Sequence, residues 1–150
     1  MPTNRLIHIY GKSRNRLVKK FCKYIVRLFG CVIGDGAVIA DNVNFVHGGL
    51  GCVIYSNTVI ENDVRIYQNV TIGKADIVST APAHIIIHRG AILCAGAKIL
   101  CHSNTSLEIG ENAIIAANAV VLCSVPKNEI WGGIPAHKLK LRNDITSPNN

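Results

Sequence analysis

The sequence predicts an all-β solenoid, because an aliphatic residue or a phenylalanine recurs every sixth position through most of its 150 residues. Small or turn-forming residues follow each such position, as in Ile33-Gly34-Asp35-Gly36, so the unit is a very short strand and a tight turn. Composition agrees: 49% of the residues are hydrophobic but only 5% are aromatic, which suits narrow coils filled by Ile, Val and Ala. The recurring positions are Ile33, Ile39, Phe45, Ile54, Ile60, Ile66, Ile72, Ile87, Leu93, Ile99, Ile109, Ile115 and Val121.

An amphipathic helix is predicted over about 13–29, within an amino-terminal region that we place at 1–29. Leu17, Phe21, Ile25 and Leu28 recur at helical spacing with basic residues between them. Two partners fit this apolar stripe: an anionic membrane face, or the first coil or a neighbouring subunit.

The repeats define a domain at 30–126, which Val125-Pro126 closes, and a carboxy-terminal tail at 127–150. Within the tail, Gly132-Gly133-Ile134-Pro135-Ala136 predicts a turn, and the last residues, 147–150, are expected to fray.

The charge distribution argues against a nucleic-acid partner. The formal net charge is +7, but the cations concentrate at the two ends of the chain and no aromatic residues interleave with them. Six cysteines without paired spacing, and no apolar signal segment, predict reduced thiols that serve packing in a cytoplasmic protein, with contact at the inner membrane face as an open alternative.

Three interruptions of the six-residue repeat are where function is expected, because inserted residues must leave the coils as loops. The first contains His47-Gly48-Gly49-Leu50-Gly51, the second runs from about 74 to 83 beside His84, and the third spans 101–107. A histidine followed by glycines places an imidazole beside backbone that has no Cβ cover, so a substrate can approach closely.

The run HGGLGCVI at 47–54, the run VIENDVRIYQNVTIG at 59–73 and the run GAILCAGAKIL at 90–100 occur in one order with Gly133-Ile134-Pro135-Ala136. Together they resemble the serine acetyltransferase branch of the hexapeptide-repeat acyltransferases, over roughly residues 29 to 140. The resemblance implies a left-handed parallel β-helix, a homotrimer, and acetyl-CoA as acyl donor with no metal.

The same resemblance implies roles for particular residues. His47 corresponds to the general base for direct acetyl transfer in a ternary complex, a task that suits an imidazole. His84 corresponds to a histidine of the acceptor site, against the alternative of an ordinary loop histidine. The implied cofactor contacts are Gly73, Ala95 and Ala117, with Lys138 or Lys140 near the CoA phosphates unless these lysines are merely solvated.

Three departures from the branch bear on the acceptor. Its aspartate directly before the catalytic histidine, its second aspartate one coil below and its arginine before the second histidine are here Val46, Val32 and Ala83. A zwitterion would lose charge-assisted hydrogen bonds worth about 1.5–3 kcal/mol each. We therefore expect a neutral hydroxyl-bearing acceptor, a small molecule or a sugar of surface polysaccharide or its precursor, as in short relatives with a basic amino-terminal helix.

Other functions remain open at this stage: a serine O-acetyltransferase of cysteine biosynthesis, a non-enzymatic scaffold, or a metal-dependent hydratase with His47, His84 and His88 as ligands. The group that would orient the His47 ring is also open. Asp35, Asp41 and Glu61 on neighbouring repeats are the candidates.

Overall fold

The computed structural model describes residues 2–76 and 78–142. Two helices, α1 (Pro2–Lys12) and α2 (Arg16–Leu28), precede fifteen strands and one short 3₁₀ helix at Val46–Gly49. The strands are β1 (Val32–Ile33), β2 (Val38–Ile39), β3 (Asn44–Phe45), β4 (Val53–Ile54), β5 (Thr58–Ile60), β6 (Arg65–Ile66), β7 (Thr71–Lys74), β8 (His84–Ile87), β9 (Ile92–Leu93), β10 (Lys98–Cys101), β11 (Ser106–Ile109), β12 (Ile114–Ile115), β13 (Val120–Val121), β14 (Glu129–Gly133) and β15 (Ala136–Leu141).

From β1 to β13 the chain visits three sheets in rotation, one strand in each, so that three successive strands make one coil. Sheet 1 has the order β1-β4-β7-β10-β13, sheet 2 the order β2-β5-β8-β11, and sheet 3 the order β3-β6-β9-β12-β14-β15. Neighbouring strands are parallel, except that β14 and β15 form an antiparallel pair. The predicted short strands and tight turns are confirmed, and strands distant in sequence become neighbours.

The core is a stack of aliphatic side chains in register from coil to coil. In sheet 1, Ile33 pairs with Ile54, Ile54 with Ile72, Ile72 with Ile99, and Ile99 with Val121. All thirteen recurring positions predicted from the sequence are buried. Close stacking also explains Gly34, where a Cβ atom would lie 2.4 Å from the backbone nitrogen of Ser56 on the next coil.

The amino-terminal region contains one more helix than the sequence analysis expected, since α1 precedes α2. The helix α2 begins after Asn15, whose side chain accepts a hydrogen bond from the Leu17 backbone N–H at 2.9 Å. It packs through Cys22 and Val26, which are buried. The apolar stripe predicted from the sequence lies largely away from the coils of this chain, and its members Leu17, Phe21 and Leu28 are 76%, 63% and 68% exposed.

The region predicted as a tail contains the β14–β15 hairpin, and the predicted turn at 132–136 joins its two strands. The terminal residues 147–150 lie outside the described part of the chain.

All six cysteines are free thiols. Four are buried, and burial raises the pKa of the Cys31 thiol to about 12. Cys123 is exposed. The packing role that we predicted therefore holds for the buried four.

Candidate functional site

Turns between the sheets stack into three edges along the coils. We call the edge between sheets 3 and 1 edge 1, that between sheets 1 and 2 edge 2, and that between sheets 2 and 3 edge 3. On edge 1 the Gln68 carbonyl accepts from the Gly96 N–H, and the Ala95 carbonyl accepts from the Asn118 N–H, each at 2.9 Å. These bonds align Gln68, Ala95 and Ala117 in one column.

His47 stands at the top of edge 1, in the turn inserted after β3. Its backbone is left-handed (φ 56°), and the positive φ continues through Gly48 (71°) and Gly49 (73°). A Cβ atom on Gly49 would lie 3.0 Å from Phe45 Cδ1 and 3.2 Å from Cys31 Sγ, so the turn lies tight against the coil. The His47 side chain is exposed to solvent.

Of the three carboxylates proposed to orient His47, those of Asp35 and Glu61 have other partners in this chain, whereas Asp41 is held through its backbone carbonyl. Asp35 pairs with Lys23, and this hydrogen bond lowers the pKa of Asp35. Glu61 contacts His88 and the Arg89 backbone N–H, while the Asp41 carbonyl accepts from the His8 ring. Among the described residues, no hydrogen bond to the His47 ring is formed.

His84 and Gly73 lie on edge 2, across the full width of sheet 1 from His47. His84 begins β8, is exposed, and donates its backbone N–H to the Thr105 carbonyl at 3.0 Å. Gly73 lies near the end of β7, paired with Leu100. The predicted site residues therefore fall into two groups, with Ala95 and Ala117 further along the same edge as His47, and Gly73 at the same edge as His84.

The second and third inserted loops are joined to each other next to His84. The Asp76 carboxylate accepts from the Ser103 backbone N–H at 2.9 Å and from its hydroxyl at 3.0 Å. Lys74 Nζ donates to the Ser79 and Ala81 carbonyls at 2.5 and 2.7 Å. The Asp76–Ser103 contact joins residues far apart in the chain, whereas the Lys74 contacts lie within the second loop; the sequence analysis identified neither.

The two lysines proposed for the CoA phosphates differ in environment. Lys138 Nζ donates to Glu129 at 2.6 Å, and Trp131 Nε1 donates to the same carboxylate at 2.8 Å. The Lys138 hydrogen bond lowers the pKa of Glu129. Lys140 is exposed on β15, so in this chain it is the freer of the two to meet an anion.

His88, which the sequence analysis named only as a ligand in the metal-dependent alternative, lies on edge 3. Its Nδ1 and Nε2 lie 3.2 Å from Glu61 and 2.9 Å from Glu108, on the coils to either side. The Glu108 hydrogen bond, with the charge of Glu61, raises the pKa of His88 above its usual value. His47, His84 and His88 thus occupy three different edges, so they do not converge on a metal ion within one protomer.

This cluster predicts a pH-dependent contribution to stability. Because the pKa of His88 is higher in the folded state than in the unfolded state, protonation of His88 stabilises the fold at pH values below its unfolded-state pKa. This stabilisation is lost as the pH rises through its folded-state pKa. His88→Gln should therefore cost up to about 1 kcal/mol near pH 5.5, allowing for solvent screening of the exposed glutamates. Urea unfolding of the unmodified protein and of His88→Gln, near pH 5.5 and near pH 8.5, measures this loss of stability. An equal loss at both pH values would contradict the prediction.

Val46, Val32 and Ala83, the three departures from the expected acceptor contacts, all lie in the described part of the chain. Val46 is half-buried directly before His47, and Val32 is 38% exposed on sheet 1. Ala83 is 1% exposed, so its side chain points into the core, and its carbonyl accepts from the Asn57 amide at 2.7 Å. Hence none of the three presents a charged group to a substrate.

Comparison with known proteins finds serine acetyltransferases among the relatives of this chain. The serine acetyltransferase of Haemophilus influenzae is 35% identical over 133 residues, 88% of this chain and 48% of that protein. The structure of the Brucella abortus serine acetyltransferase in complex with coenzyme A aligns with a TM-score of 0.69 and 28% identity, over 95% of this chain and 55% of that one. That of the Neisseria gonorrhoeae serine acetyltransferase in complex with serine aligns with a TM-score of 0.64 and 26% identity, over 91% and 54%.

The chain spans about half the length of the curated relatives it matches. No family model matches it.

These relatives correct the acceptor that we predicted. A sugar hydroxyl was favoured because Val46, Val32 and Ala83 replace charged residues, but the homologues and structural neighbours are named serine acetyltransferases. The prediction of a polysaccharide acetyltransferase was therefore wrong, and the alternative of a serine acetyltransferase is the better supported.

Proposed function

From the premise that this chain is a homologue of the serine acetyltransferases of the hexapeptide-repeat acyltransferase superfamily, we propose that it transfers an acetyl group from acetyl-CoA to the hydroxyl of L-serine. The observation that carries the proposal is 34–38% identity to serine acetyltransferases over 81–90% of the chain, in relatives such as those of fission yeast and Staphylococcus aureus. The accessible imidazole of His47 on a glycine-rich turn supplies a suitable base.

A trimer of left-handed β-helices is the assembly we propose. Three parallel sheets visited in rotation support a β-helix, and the family resemblance supports its hand. Within one protomer, sheet 1 separates His47 on edge 1 from His84 on edge 2. Assembly can bring the two histidines together across an interface between protomers. When edge 1 of one protomer faces edge 2 of the next, the two histidines contribute to one site.

In this site His47 takes the proton of the serine hydroxyl while the oxygen attacks the thioester carbonyl. The C–S bond then breaks, and the protonated imidazole returns the proton to the departing CoA sulfur. Backbone N–H groups of the surrounding turns are suitable donors to the oxyanion. Transfer is direct, so no acyl-enzyme forms.

The cofactor runs along edge 1 in this proposal. Ala95 and Ala117 are in one column with Gln68, and their methyl groups leave room for the pantetheine arm between protomers. Gly73 borders the reacting end from the neighbouring edge 2, and exposed Lys140 is available to the CoA phosphates, with Lys138 shared with Glu129.

The test is acetyl transfer to L-serine by the purified protein. Cys123 is an exposed thiol and reacts with thiol reagents. The reaction should therefore be followed by loss of thioester absorbance, with O-acetylserine identified by mass spectrometry. Acetyl-CoA binding without turnover on L-serine would disprove the acceptor. Absence of CoA binding at about millimolar concentration would mean a binding free energy weaker than about −4 kcal/mol, and it would favour a scaffold.

Gly73→Ala should weaken acetyl-CoA binding without disturbing the fold. A Cβ atom there would meet only Thr71 Cγ2 at 3.8 Å and Leu100 Cδ2 at 3.9 Å, which are ordinary contacts. A methyl group that obstructs the ligand should raise the KM for acetyl-CoA about tenfold, equivalent to about 1.4 kcal/mol.

Steady-state kinetics and a thermal melt together check this, and an unchanged KM would remove Gly73 from the site. Gly34→Ala is the contrasting variant, because its Cβ atom would collide with the Ser56 backbone and should lower the melting temperature.

A further inference from the structure

The outward face of α2 is an apolar stripe that the rest of the described chain leaves uncovered. Leu17, Phe21, Tyr24 and Leu28 recur at separations of four, three and four residues, which places them on one side of a helix. Their exposures are 76%, 63%, 64% and 68%. Phe29, 49% exposed, extends this surface beyond the helix end. We call these five residues the α2 stripe.

Cations lie along one margin of the α2 stripe. At 100° per residue, Arg16, Lys20 and Arg27 fall on the side next to Tyr24, and all three are exposed. The helix contains five basic residues and no acidic one. The opposite face, with buried Cys22 and Val26, packs against α1 and the first coil, so the stripe cannot turn inward without releasing α2.

We propose that the α2 stripe docks onto an anionic lipid surface. An exposed apolar row of aromatic and leucine side chains bordered by cations matches the requirements of a helix that lies in the membrane interface. No described helix is long and apolar enough to cross a bilayer. The proposal does not depend on the acetyl transfer proposed above.

A second copy of the chain fits the α2 stripe less well. Its cations require an acidic counterpart, and most described acidic side chains already have ionic or hydrogen-bonded partners. Those are Asp35 with Lys23, Asp63 with Arg89, Glu61 and Glu108 with His88, Glu129 with Lys138, and Asp76 with Ser103. Among the described acidic residues, Asp41 and Glu111 have no such partner. They lie far apart in the sequence and do not pair with each other in the structure.

Vesicle co-sedimentation of the whole chain tests the proposal. The protein should pellet with phosphatidylcholine vesicles that contain phosphatidylglycerol, and about tenfold less with phosphatidylcholine alone. Phe21→Ser/Leu28→Ser should lose at least about tenfold in partitioning, since it removes two membrane-facing side chains. The matched control Val78→Ser/Ile134→Ser removes apolar side chains that are 93% and 75% exposed elsewhere, and it should partition as the unmodified protein does.

A variant with fewer cations tests the electrostatic contribution to vesicle binding apart from the apolar contribution. Lys20→Gln/Arg27→Gln should lose the preference for anionic vesicles while its melting temperature stays unchanged, because both side chains are exposed. Failure of the unmodified protein to bind anionic vesicles, or equal binding by Phe21→Ser/Leu28→Ser, overturns the proposal. If that variant instead changes the molar mass measured by light scattering and vesicle binding is absent, the stripe contacts another copy, which also overturns it.

Discussion

His47→Ala should lower the turnover of L-serine acetylation by about 100-fold or more, because general base catalysis contributes about 10²–10⁴-fold. Acetyl-CoA affinity should stay nearly unchanged, since the ring acts on the acceptor hydroxyl and the cofactor runs along the stacked turns of edge 1. Turnover from steady-state kinetics and CoA affinity from calorimetry measure the two effects separately.

The backbone at His47 calls for a second variant. The residue has φ 56°, a region that asparagine tolerates better than alanine. His47→Asn therefore removes the base while preserving the turn, and it should lose as much activity as His47→Ala. His8→Gln is the matched control, because His8 lies on α1 and a glutamine can still donate to the Asp41 carbonyl. Turnover in His47→Asn equal to that of the unmodified protein would exclude His47 as the base.

Ile72→Ala should destabilise the fold by about 2–5 kcal/mol, through lost burial and the cavity left behind. Ile72 is fully buried in the middle strand of sheet 1, in register with Ile54 and Ile99 on the adjoining coils. Because β7 is paired with a strand on each side, the surrounding coils have little freedom to collapse into the cavity that the substitution leaves. A loss of this size is a large part of the stability of about 5–15 kcal/mol that is typical of a folded domain.

Val53→Ala on the same sheet provides the comparison. Val53 points outward and is 43% exposed, so its truncation should cost less than about 1 kcal/mol. Urea midpoints of both variants should be compared at one protein concentration, because association contributes to apparent stability. Similar midpoints for the two variants would contradict a core built on the inward column of aliphatic residues.

The strands and their inward faces could be predicted because the six-residue signal is local. An apolar residue followed by a turn, as at Ile33 and Ile60, specifies a strand and a corner without reference to distant residues. Inserted residues such as those around His47 must leave the coil, which is why loops were found at the predicted interruptions.

Distant partners were not predictable in the same way. Three coils meet where His88 lies between Glu61 and Glu108, and stacked loops meet where Asp76 holds Ser103. Nothing in the local sequence marks these pairs, since each depends on the register between coils. The preference for a neutral acceptor rested on Val46, Val32 and Ala83, and it was overturned by the relatives, which are named serine acetyltransferases.

The sequence by itself determined the repeat, the buried column and the loop that carries His47, because short-range turn chemistry and hydrophobic burial decide those features. Only the tertiary structure decided which edge each histidine occupies and which face of α2 is covered. The helix has apolar residues on two sides, and α1 together with the first coil covers one of them, so Cys22 and Val26 are buried and the Leu17–Leu28 face is outward. Register and packing depend on residues far apart in the chain, and for that reason they are absent from its local pattern.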